Sequence, residues 1–334
     1  MLMLLPLCLA LASAPRPQTA ATAAAPAAAP TSAAPAPSPV EVLRLEAERA
    51  DALVSTPFVH RFLAATSALP SVAERVVYYE RSTRDALTPE QFARKTPEEQ
   101  KRYEERRLGE EFYYLTRYGS PLAYARVLDL VCAELGPDGL SGKRLLDFGY
   151  GGIGHLKLLS GLGCEAVGVD VDALLSAYDR PEDQGPSLRL VHGAWPAEAA
   201  ARDAVGGGYD VVLSKNTLKK GYIRPSQEVD PRMLVQLGVT PEAYLGAVAA
   251  ALKPGGLFAI YNICPGQKEK YIPWAEGTSP FTRAELSAAG FEVLAFDAVD
   301  DGPVRELAFA LKWDEQGMDV EGDTFAWYTL AQRK

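Results

Sequence analysis

Cysteine and histidine are scarce in this 334-residue chain, with four of the first and three of the second. Cys8, Cys132, Cys164 and Cys264 stand far apart, with no C-x-x-C pair and no histidine cluster beside them. That spacing argues against a disulfide scaffold and against a zinc site. Positive charge is also short: 34 Lys and Arg face 43 Asp and Glu, a formal net charge of -9. Nucleic-acid affinity comes chiefly from neutralising phosphates, so a dedicated DNA or RNA binder is not expected. A membrane-length apolar run is missing as well. The opening "MLMLLPLCLALASA" is shorter than the roughly 20 apolar residues that cross a bilayer, so no stable membrane insertion is expected.

That opening run resembles the apolar core of a signal peptide and closes on Ala12-Ser13-Ala14, yet no Lys or Arg precedes it and Pro15 follows it. Proline and alanine then dominate up to Pro39, a composition that makes a semi-extended linker. Two readings stay open: an exported or periplasmic protein on a tether, or a start placed too early in an Ala/Pro-rich coding region of a cytoplasmic one. The expected organisation is a leader and linker over 1–39, a helical cap region over 40–135 and a ligand-binding domain over 136–334.

With 48% hydrophobic residues the chain can bury a large core. Over 40–135 the pattern reads as helical. "SVAE" at Ser71, "TPEQ" at Thr88 and "TPEE" at Thr96 each set a Ser or Thr three residues before Glu or Gln, the signature of a helix start. The Arg/Glu mixture of "KRYEERRLGEEF" is most simply a solvated face. In "FYYLTRYGSPLAY", the rings either line a pocket mouth, with Tyr118 as a candidate cofactor contact, or simply pack on the sheet. After Gly142 strand and helix alternate, with strands expected at 144–148, 165–170, 187–191, 209–214, 256–263, 291–296 and 324–332. This predicts an α/β fold, a Rossmann-like seven-stranded mostly parallel sheet with helices on both faces.

The most informative stretch is "RLLDFGYGGIGHLKLL". Gly149, Gly151 and Gly154 fit the G-x-G-x-x-G spacing at a strand-to-helix turn, where a nucleotide-type ligand approaches backbone closely. Asp147, just ahead of them, opposes a pyrophosphate and suits a cationic group. A second strand, "EAVGVDVD", ends at Asp170, where a carboxylate can accept from both hydroxyls of a ribose. "YDVVLSKNTL" and "LKPGGLFAIYN" follow in order. Together these segments resemble the class I S-adenosylmethionine-dependent methyltransferases, from about Gly142 to the C-terminus. Ile153 departs from the pattern, which favours glycine there.

The resemblance implies S-adenosyl-L-methionine as cofactor, with ribose on Asp170, adenine beside Val171, Ala194 and Trp195, and the methionine portion near Asp147, Gly149, Gly151 and Ser214. Methyl transfer needs alignment above all, and a base only where the acceptor arrives protonated. Candidate catalytic groups are Lys215, Asn216 and Tyr222 in the cationic loop "SKNTLKKGYIRP", which could hold an anionic acceptor, and His155 in the first helix after the glycines. The aromatic insertion "CPGQKEKYIPWAEGTSPF", with Tyr271 and Trp274, is expected to roof the pocket of a small-molecule acceptor. An NAD-linked oxidoreductase accounts for the glycines and Asp170 but leaves Asp147 and Leu-Lys-Pro-Gly-Gly unexplained. A non-catalytic nucleoside-binding module fits an exported protein better than an enzyme does. Oligomeric state is not legible.

Overall fold

A computed structural model describes residues 37–114 and 120–334. The apolar leader, most of the Pro/Ala tract and Tyr118 lie outside the described residues. The chain enters the fold slightly before residue 40: Ser38 caps the helix Pro39–Ala50 through a reciprocal bond with Glu41, and that helix buries Leu43, Ala47 and Ala50.

The segment up to residue 135 is not helical throughout, contrary to the pattern. It contains β1 (Arg75–Glu80), β2 (Asp85–Leu87) and β3 (Glu104–Leu108), an antiparallel sheet in the order β2-β1-β3. Ser71 opens no helix, because the β-branched and aromatic run "RVVYYE" behind it favours a pleated strand. Thr88 and Thr96 do cap helices, Pro89–Ala93 and Pro97–Gln100, but these are single turns connecting strands.

The large sheet holds β4 (Arg144–Phe148), β5 (Glu165–Asp170), β6 (Leu188–His192), β7 (Tyr209–Lys215), β8 (Leu252–Cys264), β9 (Phe291–Val299) and β10 (Phe325–Arg333). Its order is β6-β5-β4-β7-β8-β10-β9. The first five strands run parallel, and β10 is antiparallel to both β8 and β9. From β4 the chain first works outward through β5 and β6, then returns to the other side of β4 with β7. A crevice opens at such a reversal, outside the carboxyl ends of the strands. Asp147, Asp170 and Lys215 all stand at that edge.

Alternation along the parallel strands divides the core. Leu145, Val211, Leu213 and Tyr261 face one side, where Phe58, Phe62 and Leu128 from the N-terminal helices fill the same core. Leu146, Val212, Phe258 and Ile260 face the other, against Tyr244, Leu245 and Val248 of the helix Pro241–Ala251. The described residues of 40–135 therefore contribute to the central core.

One ion pair ties the small sheet to the large one. Arg75 of β1 grips Asp183 with two bonds of 2.5 and 2.7 Å and donates to the Tyr178 carbonyl at 3.1 Å. Its guanidinium lies 5.2 Å from the Tyr113 ring centre and 5.0 Å from that of Tyr178. Burial alone raises the Asp183 carboxyl; the Arg75 bonds and the Arg180 amide outweigh it and hold the group below the usual carboxylate range. Arg75→Met strands that buried charge and is expected to cost about 3–5 kcal/mol in urea unfolding at neutral pH. The stabilisation belongs to ionised Asp183 and is lost as pH falls through its depressed titration. The gap between the two proteins is therefore expected to narrow below about pH 4. Equal stability at neutral pH would remove this pair from the frame.

Candidate functional site

The turn after β4 is built by glycines with different tasks. Gly149 has φ +78°, and a Cβ there would fall 2.2 Å from Thr217 Oγ1. Its amide donates to Val169 O at 2.8 Å, pinning the turn to β5. Gly154 lets the helix Gly154–Gly161 approach Tyr114, whose carbonyl would lie 2.8 Å from an added Cβ. Ile153 is buried in the core at the start of that helix, so the departure from the glycine pattern serves packing.

Beside this turn lies a narrow cleft, open to solvent, with a cavity volume of about 20 Å³. Gly149, Asp170, Val171, Ala194 and Trp195, all singled out from the sequence, line it. Phe148, Thr217, Val235 and Gln236 also line it and were not anticipated. Val235 arrives there because its amide donates to Tyr222 O at 3.0 Å, a tertiary bond without a local signal. Asp147, Gly151 and Ser214 are not among the lining residues. Ser214 faces the opposite side of β7 from Asp147's neighbour Leu213, and its buried Oγ has no partner among the described residues.

Asp170 is more heavily committed than the sequence implied. Oδ1 accepts from the Val171 and Asp172 amides at 2.7 and 2.9 Å, and Oδ2 from the Gly151 amide at 3.0 Å. A carboxylate offers about four lone-pair sites, so roughly one remains, on Oδ2. It can take a single further hydroxyl rather than both hydroxyls of a ribose. Burial, then the neighbouring Asp172 charge, raises Asp170 to about 6 against the lowering effect of these amides.

Behind the cleft is a buried polar group of four. Asp147 is wholly buried; its Oδ2 is 2.6 Å from His155 Nε2, the Tyr124 hydroxyl, whose pKa is raised by burial and then by Asp147, is a second neighbouring donor, and Oδ1 makes no close hydrogen bond among the described residues. The His155 ring stacks on Tyr124 at 3.6 Å. Lys215 Nζ stands 5.0 Å from the centre of the same Tyr124 ring. Burial lowers the His155 pKa, with Asp147 working against the shift. A ring nitrogen at this distance from a carboxylate acts as the donor, so Nε2 is the nitrogen that faces Asp147 with its proton. This arrangement ties His155 to Asp147 through the nitrogen nearest the site.

The cationic loop is largely paired within the protein. Lys219 Nζ donates to the carbonyls of Ile263 and Trp274 at 2.7 and 3.3 Å. Lys220 pairs with Glu276 at 2.6 Å and Arg224 with Glu285 at 2.8 Å. Asn216, at φ +64°, clasps β8 by accepting from the Ile263 amide. Tyr222 is buried in the core. Tyr271 bonds Glu276, and Gly221 lies so close to Pro273 O that no Cβ fits. The aromatic insertion therefore packs on this loop, and neither Tyr271 nor Trp274 lines the cleft.

No family model matches the chain, and no curated protein matches it. Solved structures similar to part of it include an S-adenosylmethionine dependent methyltransferase from Mesorhizobium loti, 15% identical, covering 63% of this chain and 98% of that one, TM-score 0.39. A phosphoethanolamine N-methyltransferase from Haemonchus contortus is 16% identical, covering 70% of this chain and 62% of that one, TM-score 0.36. A 16S rRNA N2 G1207 methyltransferase from T. thermophilus is 18% identical, covering 64% of this chain and 43% of that one, TM-score 0.34. At such scores their chemistry does not transfer to this chain.

The His155–Asp147 contact can be tested without any ligand. His155→Leu leaves a wholly buried carboxylate without its donor and is expected to cost about 2–4 kcal/mol in urea unfolding. Adding Asp147→Leu should recover much of that loss, with a coupling energy of about 1–3 kcal/mol. Additive effects would mean that the two groups do not depend on each other.

Proposed function

We propose that the protein is an S-adenosylmethionine-dependent methyltransferase acting on a small molecule. The observation that carries this reading is Asp147 Oδ1, wholly buried beside the glycine turn and without a close hydrogen bond among the described residues. A pyrophosphate brings negative charge and acceptors to such a turn and leaves that oxygen unmet. The ammonium of a methionine portion brings donors and opposite charge. The cleft supports the same assignment: Val171, Ala194 and Trp195 offer an apolar wall for a purine, and Asp170 Oδ2 one acceptor site for a ribose hydroxyl.

The sheet edge also departs from the dinucleotide-binding arrangement. That fold continues 3-2-1-4-5-6 in parallel, whereas here antiparallel β10 stands between β8 and β9.

When bound, the cofactor supplies a methyl group activated by its sulfonium. The chain's own residues contribute position: the Gly149 turn allows close approach, Asp170 orients the sugar, and Asp147 with its His155 donor anchors the far end. Holding two reactants in line can replace much of the work a base does elsewhere. The small-molecule reading rests on charge. Lys219, Lys220 and Arg224 are satisfied internally, so this loop offers no free cationic strip to track phosphates, and the whole chain carries -9.

Calorimetry with S-adenosylhomocysteine and with NADH separates the two nucleotide readings. The homocysteine ligand is expected to bind and NADH not to bind comparably. Its affinity should fall as pH drops through about 6, where Asp170 takes up a proton and its free lone pair no longer accepts from the ribose. Comparable NADH binding would overturn the assignment.

A further inference from the structure

Lys215 ends β7 two residues beyond Leu213, the register partner of Asp147. Period-two alternation puts its side chain on Asp147's face of the sheet. It is 7% exposed. Lysine is seldom buried so deeply unless paired, and its two loop neighbours are paired: Lys219 by two carbonyls, Lys220 by Glu276. Among the described residues Lys215 has only the Tyr124 ring, at 5.0 Å, a contact that replaces only part of the hydration an ammonium gives up on burial. Asp147 is the acid whose charge reaches it, yet that carboxylate's Oδ2 is already taken by His155. Burial first, and then the Lys219 charge, push its pKa down to about 8. Among the described residues the fold thus holds an ammonium short of one negative partner, on the same face as a carboxylate oxygen without a close donor.

The geometry points to Lys215 Nζ, at the carboxyl end of β7, as the binding site for a ligand carboxylate. The inference rests on the methyltransferase reading for the identity of the ligands, since two sources bring a carboxylate to this place. One is the amino-acid end of the cofactor, whose ammonium would meet Asp147 while its carboxylate meets Lys215. The other is a carboxylate on the methyl acceptor. Either supplies the missing negative charge, and a charge-assisted bond in this setting is about twice as strong as a neutral one.

The test compares wild type, Lys215→Met and Lys215→Arg by calorimetry. The probes are S-adenosylhomocysteine, 5′-methylthioadenosine, which shares the nucleoside but lacks the amino-acid end, and acetate added to free and to homocysteine-ligand-saturated protein. If the cofactor is the source, Lys215→Met loses at least tenfold in affinity for S-adenosylhomocysteine and keeps its affinity for 5′-methylthioadenosine, with partial recovery in Lys215→Arg. If the acceptor is the source, both nucleosides bind unchanged and acetate binds saturated wild type but not saturated Lys215→Met. Equal loss of both nucleosides together with a lower Tm makes Lys215 scaffold and overturns the proposal. Unchanged nucleoside binding with no Lys215-dependent acetate binding overturns it too. Failure of both nucleosides to bind wild type defeats the cofactor assignment instead, and acetate binding to the free proteins then still decides whether Lys215 takes a carboxylate.

Discussion

Two carboxylates buried at the ends of neighbouring parallel strands set the terms for this edge of the molecule. Asp147 is the penultimate residue of β4 and Asp170 closes β5, at 0% and 5% exposure. A buried carboxylate is tolerable only when donors replace its water, and the two differ in how far that replacement has gone. Asp170 receives three backbone amides, which lock the turn after β5 and reach across to Gly151. It is first a piece of framework and only then a ligand contact. Asp147 receives one close side-chain donor, His155, on Oδ2, with the Tyr124 hydroxyl as a neighbour, and among the described residues no close donor on Oδ1. Its incompleteness in the unliganded fold is what makes it informative about a ligand.

The same logic explains why the N-terminal segment matters to a cleft it does not line. Tyr150, inside the glycine turn, donates to Asp179 at 2.6 Å. Burial raises Asp179 to about 7, with the Tyr150 bond opposing the rise. Four residues on, Asp183 is held by Arg75 from β1 and by the Tyr113 hydroxyl at 3.0 Å. A short stretch of chain therefore carries both the bond to the glycine turn and the anchor of the small sheet. Residues 40–114 brace the turn from behind, a role different from the roof expected of a cap.

The centre of the large sheet was legible because strands such as β5 and β7 are apolar runs bounded by caps and glycines, and burial on both faces leaves little else for such a run to do. The small sheet was hidden for the opposite reason. β3 reads "EERRL", with alternate residues half-buried and exposed, and its place is set by pairing with β1 rather than by hydrophobic period. Nucleoside-cleft residues such as Asp170 and Trp195 were legible because they sit at fixed distances from strand ends. Phe148, a strand-end ring, could have been found by the same rule. Val235 and Gln236 could not, since they reach the cleft from a loop tied to Tyr222 by one backbone bond.

Charge was the hardest property to assign. In "SKNTLKK" the lysines at 215 and 219 are indistinguishable by type or neighbourhood, and both prove to be buried. What separates them is the backbone each meets. Lys219 lies where β8's end and the aromatic insertion turn two carbonyls toward it, and it serves as a clasp between them. Lys215, still in register on β7, meets an aromatic face and a carboxylate already engaged. A fold gains nothing from holding an ammonium in that state, and natural sequences depart from good local solutions chiefly where function requires it. The uncompensated lysine and the half-satisfied aspartate are thus one departure rather than two, since a single ligand bearing both an ammonium and a carboxylate would correct them together.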